Sequence, residues 1–185
     1  MNTTMISKEA ILKVSRELIQ RQGWSAVNIR SVAKECHISI GSIYNYFDSK
    51  TELIAATVES VWCDIFHFPD SQDAFRSFSD CIIWLFACME KGEKTYPGFF
   101  TLHSMSFLGE SRSDGQQRMK QSWQHIQNSL CMILKKDPDV RPDAFDEAFP
   151  PEKFVELIFS LILSALLQHN YDCSGILGMI QRILY

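Results

Sequence analysis

Between Val27 and Leu53 the chain reads VNIRSVAKECHISIGSIYNYFDSKTEL. This stretch holds the residues best suited to chemistry on a nucleic acid. Gly41 and Ser42 are small enough for a helix end to enter a groove. Tyr44, Asn45 and Tyr46 offer hydroxyl and amide groups, and no charge lies between Ser39 and Phe47. A face of this kind would read base edges through hydroxyls, amides and apolar contact with thymine methyls. The two tyrosines can also donate to phosphate oxygens, although the same residue types serve equally as packing residues of an amphipathic helix. Lys50 stands in a first helical turn, where the macrodipole disfavours a cation. A lysine placed against that preference makes sense beside an anion such as a DNA phosphate. Asn28, as a helix cap, directs backbone N–H groups toward a second phosphate, and Arg30 can reach phosphate or a base edge. The candidate DNA contacts are therefore Asn28, Arg30, Ser39, Ile40, Gly41, Ser42, Tyr44, Asn45, Tyr46 and Lys50.

The elements that must position these groups are helices. Ser7 caps a first helix with Ile11, Val14 and Leu18 on one face, and Gly23 stops it. Asn28 caps a second, with Val27 and Val32 at the spacing of a hydrophobic staple. A third runs from about Ile40 to Phe47 behind Ser39, with Ile38, Ile43 and Phe47 turned inward. A fourth opens at a capping box, Ser49 to Glu52, and runs to about His67, roughly 27 Å at 1.5 Å per residue. Two short helices joined by a tight turn, the second with small residues first, form the layout of a helix-turn-helix that reads duplex DNA.

Beyond Pro69 the 3–4 spacing of apolar residues predicts a helix from about Ser71 to Lys91 and a shorter one after Pro97-Gly98. A long helix from Ser113 follows, then a polar connector over 137–150 with one helical turn near Ala144. Pro151 opens a helix apolar nearly all round, and Ser174 to Leu184 forms the last. No useful β-alternation or internal repeat is present, so the class is all-α.

The net charge of -4 is unevenly spread: residues 1–50 hold seven Lys/Arg and four Asp/Glu, the remainder 11 against 18. A basic front and an acidic rear suit a chain whose N-terminal part alone meets phosphate. Six scattered cysteines without a CxxC pair, and an N-terminus without an apolar signal region, point to a reduced cytoplasmic setting. The longest apolar stretch, Leu157 to Leu167, falls short of the ~20 residues of a membrane span.

The order of helix, Gly-Trp, helix, turn and Gly41-Ser42-Ile43-Tyr44…Tyr46-Phe47…Ser49-Lys50 resembles the N-terminal domain of TetR-family transcriptional regulators, over about residues 7–55. The resemblance implies nine or ten helices, a homodimer through the last two long helices, a ligand pocket in the C-terminal domain, and reorientation of the DNA-reading heads on ligand binding. It places Arg30, Ile40, Gly41, Ser42, Tyr44 and Tyr46 toward the groove, and Asn28 and Lys50 at phosphates. Departures are Asn28 for the usual threonine, His37 at a turn position often glycine, apolar Ile40 where a polar reader is common, and Tyr46 where histidine is frequent. His tolerates a left-handed backbone better than most residues, so the turn is expected to survive.

The expected architecture is an N-terminal three-helix DNA-binding domain over 1–50 and a helical ligand-binding and dimerisation domain over 51–185, about nine helices in all. Trp62, Phe66, Trp84, Cys88, Phe100, His103, Phe107 and Trp123 are the candidate lining for a small, mainly apolar or aromatic effector. An all-round apolar helix needs cover on both sides, so Phe154, Ile158, Leu161, Ile162, Ala165 and Ile180 are candidate dimer contacts, although full enclosure in the core would also cover them. The expected function is a homodimeric repressor released from a palindromic operator by its effector, with no cofactor, no metal and no membrane partner. A ligand-independent DNA-binding protein is the alternative. An all-α enzyme is disfavoured: metal spacings, Gly-rich phosphate loops and nucleophile–base pairs are lacking.

Overall fold

The computed structural model describes residues 6–67, 75–100 and 114–185, with side chains from 123 onward in the last segment. Among the described residues there are eight α-helices and no strand. These are α1 (Lys8–Gln22), α2 (Ile29–Glu35), α3 (Ile40–Tyr44), α4 (Lys50–Ile65), α5 (Phe78–Thr95), α6 (Asp114–Lys136), α7 (Pro151–Leu167) and α8 (Ser174–Leu184). A 3-10 turn, Trp24–Ala26, joins α1 to α2.

The chain divides into two compact units. The first holds 1–65 and 92–103, the second 66–91 and 104–185, so α5 contributes to both. In the first unit α1 packs on α2 and α4, and α2 packs on α3. The buried stripe of α1 is Ile11, Ser15, Leu18 and Ile19, and Ser15 meets the cost of burial by donating to the Ile11 carbonyl at 3.0 Å. Gly23 ends α1 with φ 78, donating its N–H to Ile19 at 2.8 Å. Packing does not stop at residue 50: Leu53, Ala56, Thr57, Val61, Trp62 and Ile65 of α4 are all buried. The end of α5 closes on α4 at Gly92, where an added Cβ would lie 2.9 Å from Ile65. Just beyond, Tyr96 is 1% exposed and donates to Asp64 at 2.8 Å. Asp64 also pairs with Arg16 of α1 at 3.5 Å. Trp24 stacks on Phe99, with centroids 5.5 Å apart.

In the second unit α6 packs along α7. Phe154 is surrounded by the rings of Phe78, Phe145 and Phe149. Asp137, 8% exposed, is satisfied three ways: it accepts from the Phe78 amide at 2.7 Å, the Tyr185 hydroxyl at 2.6 Å and the Asp139 amide. The helical turn expected near Ala144 is present as a 3.1 Å bond from its amide to Arg141.

Several boundaries differ from expectation. The third helix closes at Tyr44, the fourth at Ile65, and α5 starts at Phe78 and runs on to Thr95. The short helix expected after Gly98 lies mostly outside the described residues. Every cysteine among the described residues is a free thiol, and burial pushes the Cys81 thiol up to about 12.

Candidate nucleic-acid interface

The second helix starts where Asn28 leaves the extended region. Its side chain accepts the Ser31 amide at 3.0 Å while Ser31 accepts the Asn28 amide at 3.1 Å, a reciprocal capping box. This uses the Ser31 amide and leaves the helix its other first-turn N–H groups. Arg30 is exposed, and Ile29, Val32 and Ala33 are buried beneath it. Glu35 accepts from Arg21 at 2.9 Å, which ties α2 to α1 and holds the Glu35 carboxyl below its usual range.

The turn itself rests on His37, which adopts φ 55. This left-handed residue lets the Ile38 amide reach back to Ala33 at 3.0 Å and reverses the chain before α3. Ser39 then caps α3, accepting the Ser42 amide at 3.0 Å and sharing a 2.8 Å bond with the Ser42 hydroxyl. Ser39 is thereby committed to holding the helix start.

Helix α3 is anchored by one buried residue, Ile43, together with Phe47 just beyond it; both are 0% exposed. Turning inward on these two leaves Ile40 45% and Tyr44 48% exposed, with Gly41 and Asn45 open beside them. Ser42 is half-buried. The uncharged outward face expected from the sequence is therefore formed.

Tyr46 departs from that expectation. It is half-buried, and its hydroxyl donates to the Ile6 carbonyl at the start of α1. A phenol has one hydrogen to give, so this bond takes the donor that a phosphate contact would need.

At the next helix start, Glu52 closes the cap on both sides. Its amide donates to Ser49 at 3.1 Å and its carboxylate accepts the Asp48 amide at 2.6 Å. Lys50 is exposed and has no ion-pair partner among the described residues. Lys8, outside the expected set, also comes to this end of the domain. Its Nζ lies 5.1 Å from the Phe47 ring centroid.

The expected effector-lining residues are drawn from both units. Trp62 and Phe100 pack on one another, centroids 5.6 Å apart, within the first unit. In the second unit Trp84 packs on Phe75 and Trp123 on Phe159, while Cys88 and Phe66 are half-buried. His103 and Phe107 lie outside the described residues.

The expected dimer contacts are corrected in four cases. Phe154, Ile158, Ile162 and Ile180 are between 0% and 5% exposed and belong to the second unit's own core. Three of them lie on α7, which packs along α6, and Ile180 lies on α8. Of the expected set only Leu161, 38% exposed, and half-buried Ala165 retain outward surface. The apolar groups left open on these helices are Leu157, Leu161 and Leu167 of α7 with Met179 of α8.

Comparison with known proteins bears on the first unit most directly. Residues 11–57 match the family described as bacterial regulatory proteins, tetR family. Over 52 residues the chain is 40% identical to an uncharacterised HTH-type transcriptional regulator, YerO, of Bacillus subtilis. That match covers 28% of this chain and spans 18% of the relative's length. A TetR transcriptional regulator from Legionella pneumophila superposes with a TM-score of 0.61 at 20% identity, over 99% of this chain and 100% of that one. The regulator FadR from Bacillus subtilis, solved in complex with stearoyl-CoA, superposes with a TM-score of 0.57 at 15% identity, over 90% of this chain and 87% of that one. Residues 11–57 thus match the tetR family of bacterial regulatory proteins, and the chain has the fold of the solved regulators on which it superposes.

Proposed function

We propose that this chain is a DNA-binding transcriptional regulator that grips a palindromic operator as a homodimer. The observation that carries the reading is the outward edge of α3. Ile40, Gly41, Tyr44 and Asn45 stand clear of the core, in a segment bracketed along the chain by the Asn28 cap and exposed Lys50. Phosphate anchors on either side of an uncharged reading edge would set register through the backbone and leave discrimination to base edges. Two such heads, about one helical turn apart, would read the two halves of an inverted repeat.

The reading extends to a repressor released by a small, mainly apolar or aromatic effector, with no catalytic step. Support for the effector comes from FadR, a structural neighbour that holds stearoyl-CoA. Half-buried aromatic groups in the second unit, Trp84 and Trp123, are the surfaces such a ligand would use.

The test is selection of duplexes from a random pool by the purified protein, followed by binding measured across a salt series. An inverted repeat should be enriched, and its affinity should fall linearly in log–log form as salt rises. Enrichment of no sequence over random duplex would end the DNA-binding reading. Acyl-CoA thioesters and aromatic acids, added to the preformed complex, then separate an effector-released repressor from a ligand-independent one.

A further inference from the structure

We propose that Lys8 is a phosphate anchor of the DNA-reading face, and that Tyr46 is the positioning residue that seats it there. The proposal rests on the DNA-binding reading above and adds to it a contact from α1.

Three observations converge on the start of α1. The Tyr46 hydroxyl, just past α3, donates to the Ile6 carbonyl 40 residues earlier in the chain. That bond pins the residues ahead of α1 against the end of the reading helix. Two residues on, Lys8 lays its ammonium 5.1 Å from the centroid of the Phe47 ring. Phe47 is fully buried and leads directly into Asp48, Ser49 and Lys50. Lys8 and Lys50 are therefore held at the same end of the domain, each in the first turn of its helix.

The local chemistry leaves the Lys8 charge available. A ring face orients an ammonium without neutralising it. Among the described residues Lys8 has no ion-pair partner within 4.0 Å. Its position in the first turn works against the macrodipole, as does that of Lys50. Of the nearby carboxylates, Glu9 has its pKa lowered first by a backbone hydrogen bond and by Ser7, with Lys8 the smallest contributor. Glu52 is engaged with the Asp48 amide, and Asp48 itself is exposed. A cation oriented but not neutralised, beside the residues that lead to Lys50, is arranged for an external anion, and the nearest repeating anion would be the backbone of the bound duplex.

The experiment uses the full chain, a duplex selected from the random pool and its scrambled counterpart, with affinity read across a salt series and melting followed in parallel. Lys8→Met keeps the apolar stem over Phe47 and removes the charge. It should weaken both duplexes by a similar factor, on the order of tenfold, and reduce the salt slope by about 1.8, one contact being lost from each protomer of the dimer, with melting unchanged. Lys8→Arg should retain the slope. Tyr46→Phe keeps the ring and deletes the hydroxyl; it should reproduce the Lys8→Met loss, and the double variant should be no weaker than either single. If Tyr46→Phe and Lys8→Met add independently, Tyr46 is a direct contact and the positioning role is overturned. If Lys8→Met leaves slope and affinity unchanged while Lys50→Ala lowers both, Lys8 is no anchor and the regulator reading stands. If the wild-type protein selects no duplex, that reading fails and this proposal with it.

Discussion

Deleting one oxygen, in Tyr96→Phe, tests how the first unit holds its last segment. The Tyr96 hydroxyl donates to Asp64 at 2.8 Å, and Asp64 in turn pairs with Arg16 of α1. A hydrogen bond to a charged acceptor contributes about 1.5–3 kcal/mol. The Asp64 side chain is 43% exposed, so water can replace the lost donor, and the expected cost at neutral pH lies near the low end, about 1.5 kcal/mol. Alkaline pH gives a sharper signature. Burial, then the hydrogen bond to Asp64 and its charge, push the Tyr96 phenol from 10.0 up to about 12. The unfolded chain then loses its proton before the folded one does. The associated stability is complete below pH 10 and is lost as pH rises through about 12. At about 1.36 kcal/mol per pKa unit the ceiling is about 2.7 kcal/mol, reduced to about 1–2 kcal/mol by solvent at the exposed carboxylate. Urea unfolding followed by far-UV circular dichroism at a series of alkaline pH values gives both quantities. Cys81, also raised to about 12, contributes an alkaline loss common to both proteins, so the difference between wild type and Tyr96→Phe isolates the phenol. The gap of about 1.5 kcal/mol should close between pH 10 and about 12. Parallel curves through that window would show that the buried hydroxyl does not titrate as argued.

Gly92→Ala places a Cβ 2.9 Å from Ile65 Cγ2. It should cost about 1–3 kcal/mol in urea unfolding, with only a small part recovered by Ile65→Val, which removes Cδ1 at 3.1 Å but keeps Cγ2. His37 holds φ 55, so His37→Val should lower stability by about 1–2 kcal/mol, while His37→Gly should not. A thermal melt of each variant checks the order. Leu161→Glu alters an exposed position of α7, whereas Ile158→Glu buries a charge in a fully enclosed one. The first should leave the melt intact and shift sedimentation from dimer toward monomer; the second should unfold the second unit. A dimer unchanged by Leu161→Glu and by Leu157→Glu would remove this edge of α7 from the interface.

Which features were legible in the residue string depends on how far each side chain's partner lies along the chain. Caps and turns are local, so Ser7, Asn28, Ser39, Ser49 and the left-handed His37 could be read from neighbours within a few residues. The two-sided division of α3 was readable for the same reason, because Ile43 and Phe47 alone set which face turns inward. Helix α7 shows where that logic stops. Its periodicity marks several apolar rows, and nothing local tells which row meets α6 and which remains open. For Phe154, Ile158 and Ile162 the pattern allows either a partner chain or enclosure, and the protomer's own core takes them. Tyr46 is the instructive case, since its residue type allowed a phosphate donor and only a carbonyl 40 positions away removes that donor. Lys8 shows the reverse. Like Lys50 it stands in the first turn of a helix, but α1 is remote in sequence from the reading helix, and the fold alone brings Lys8 over Phe47.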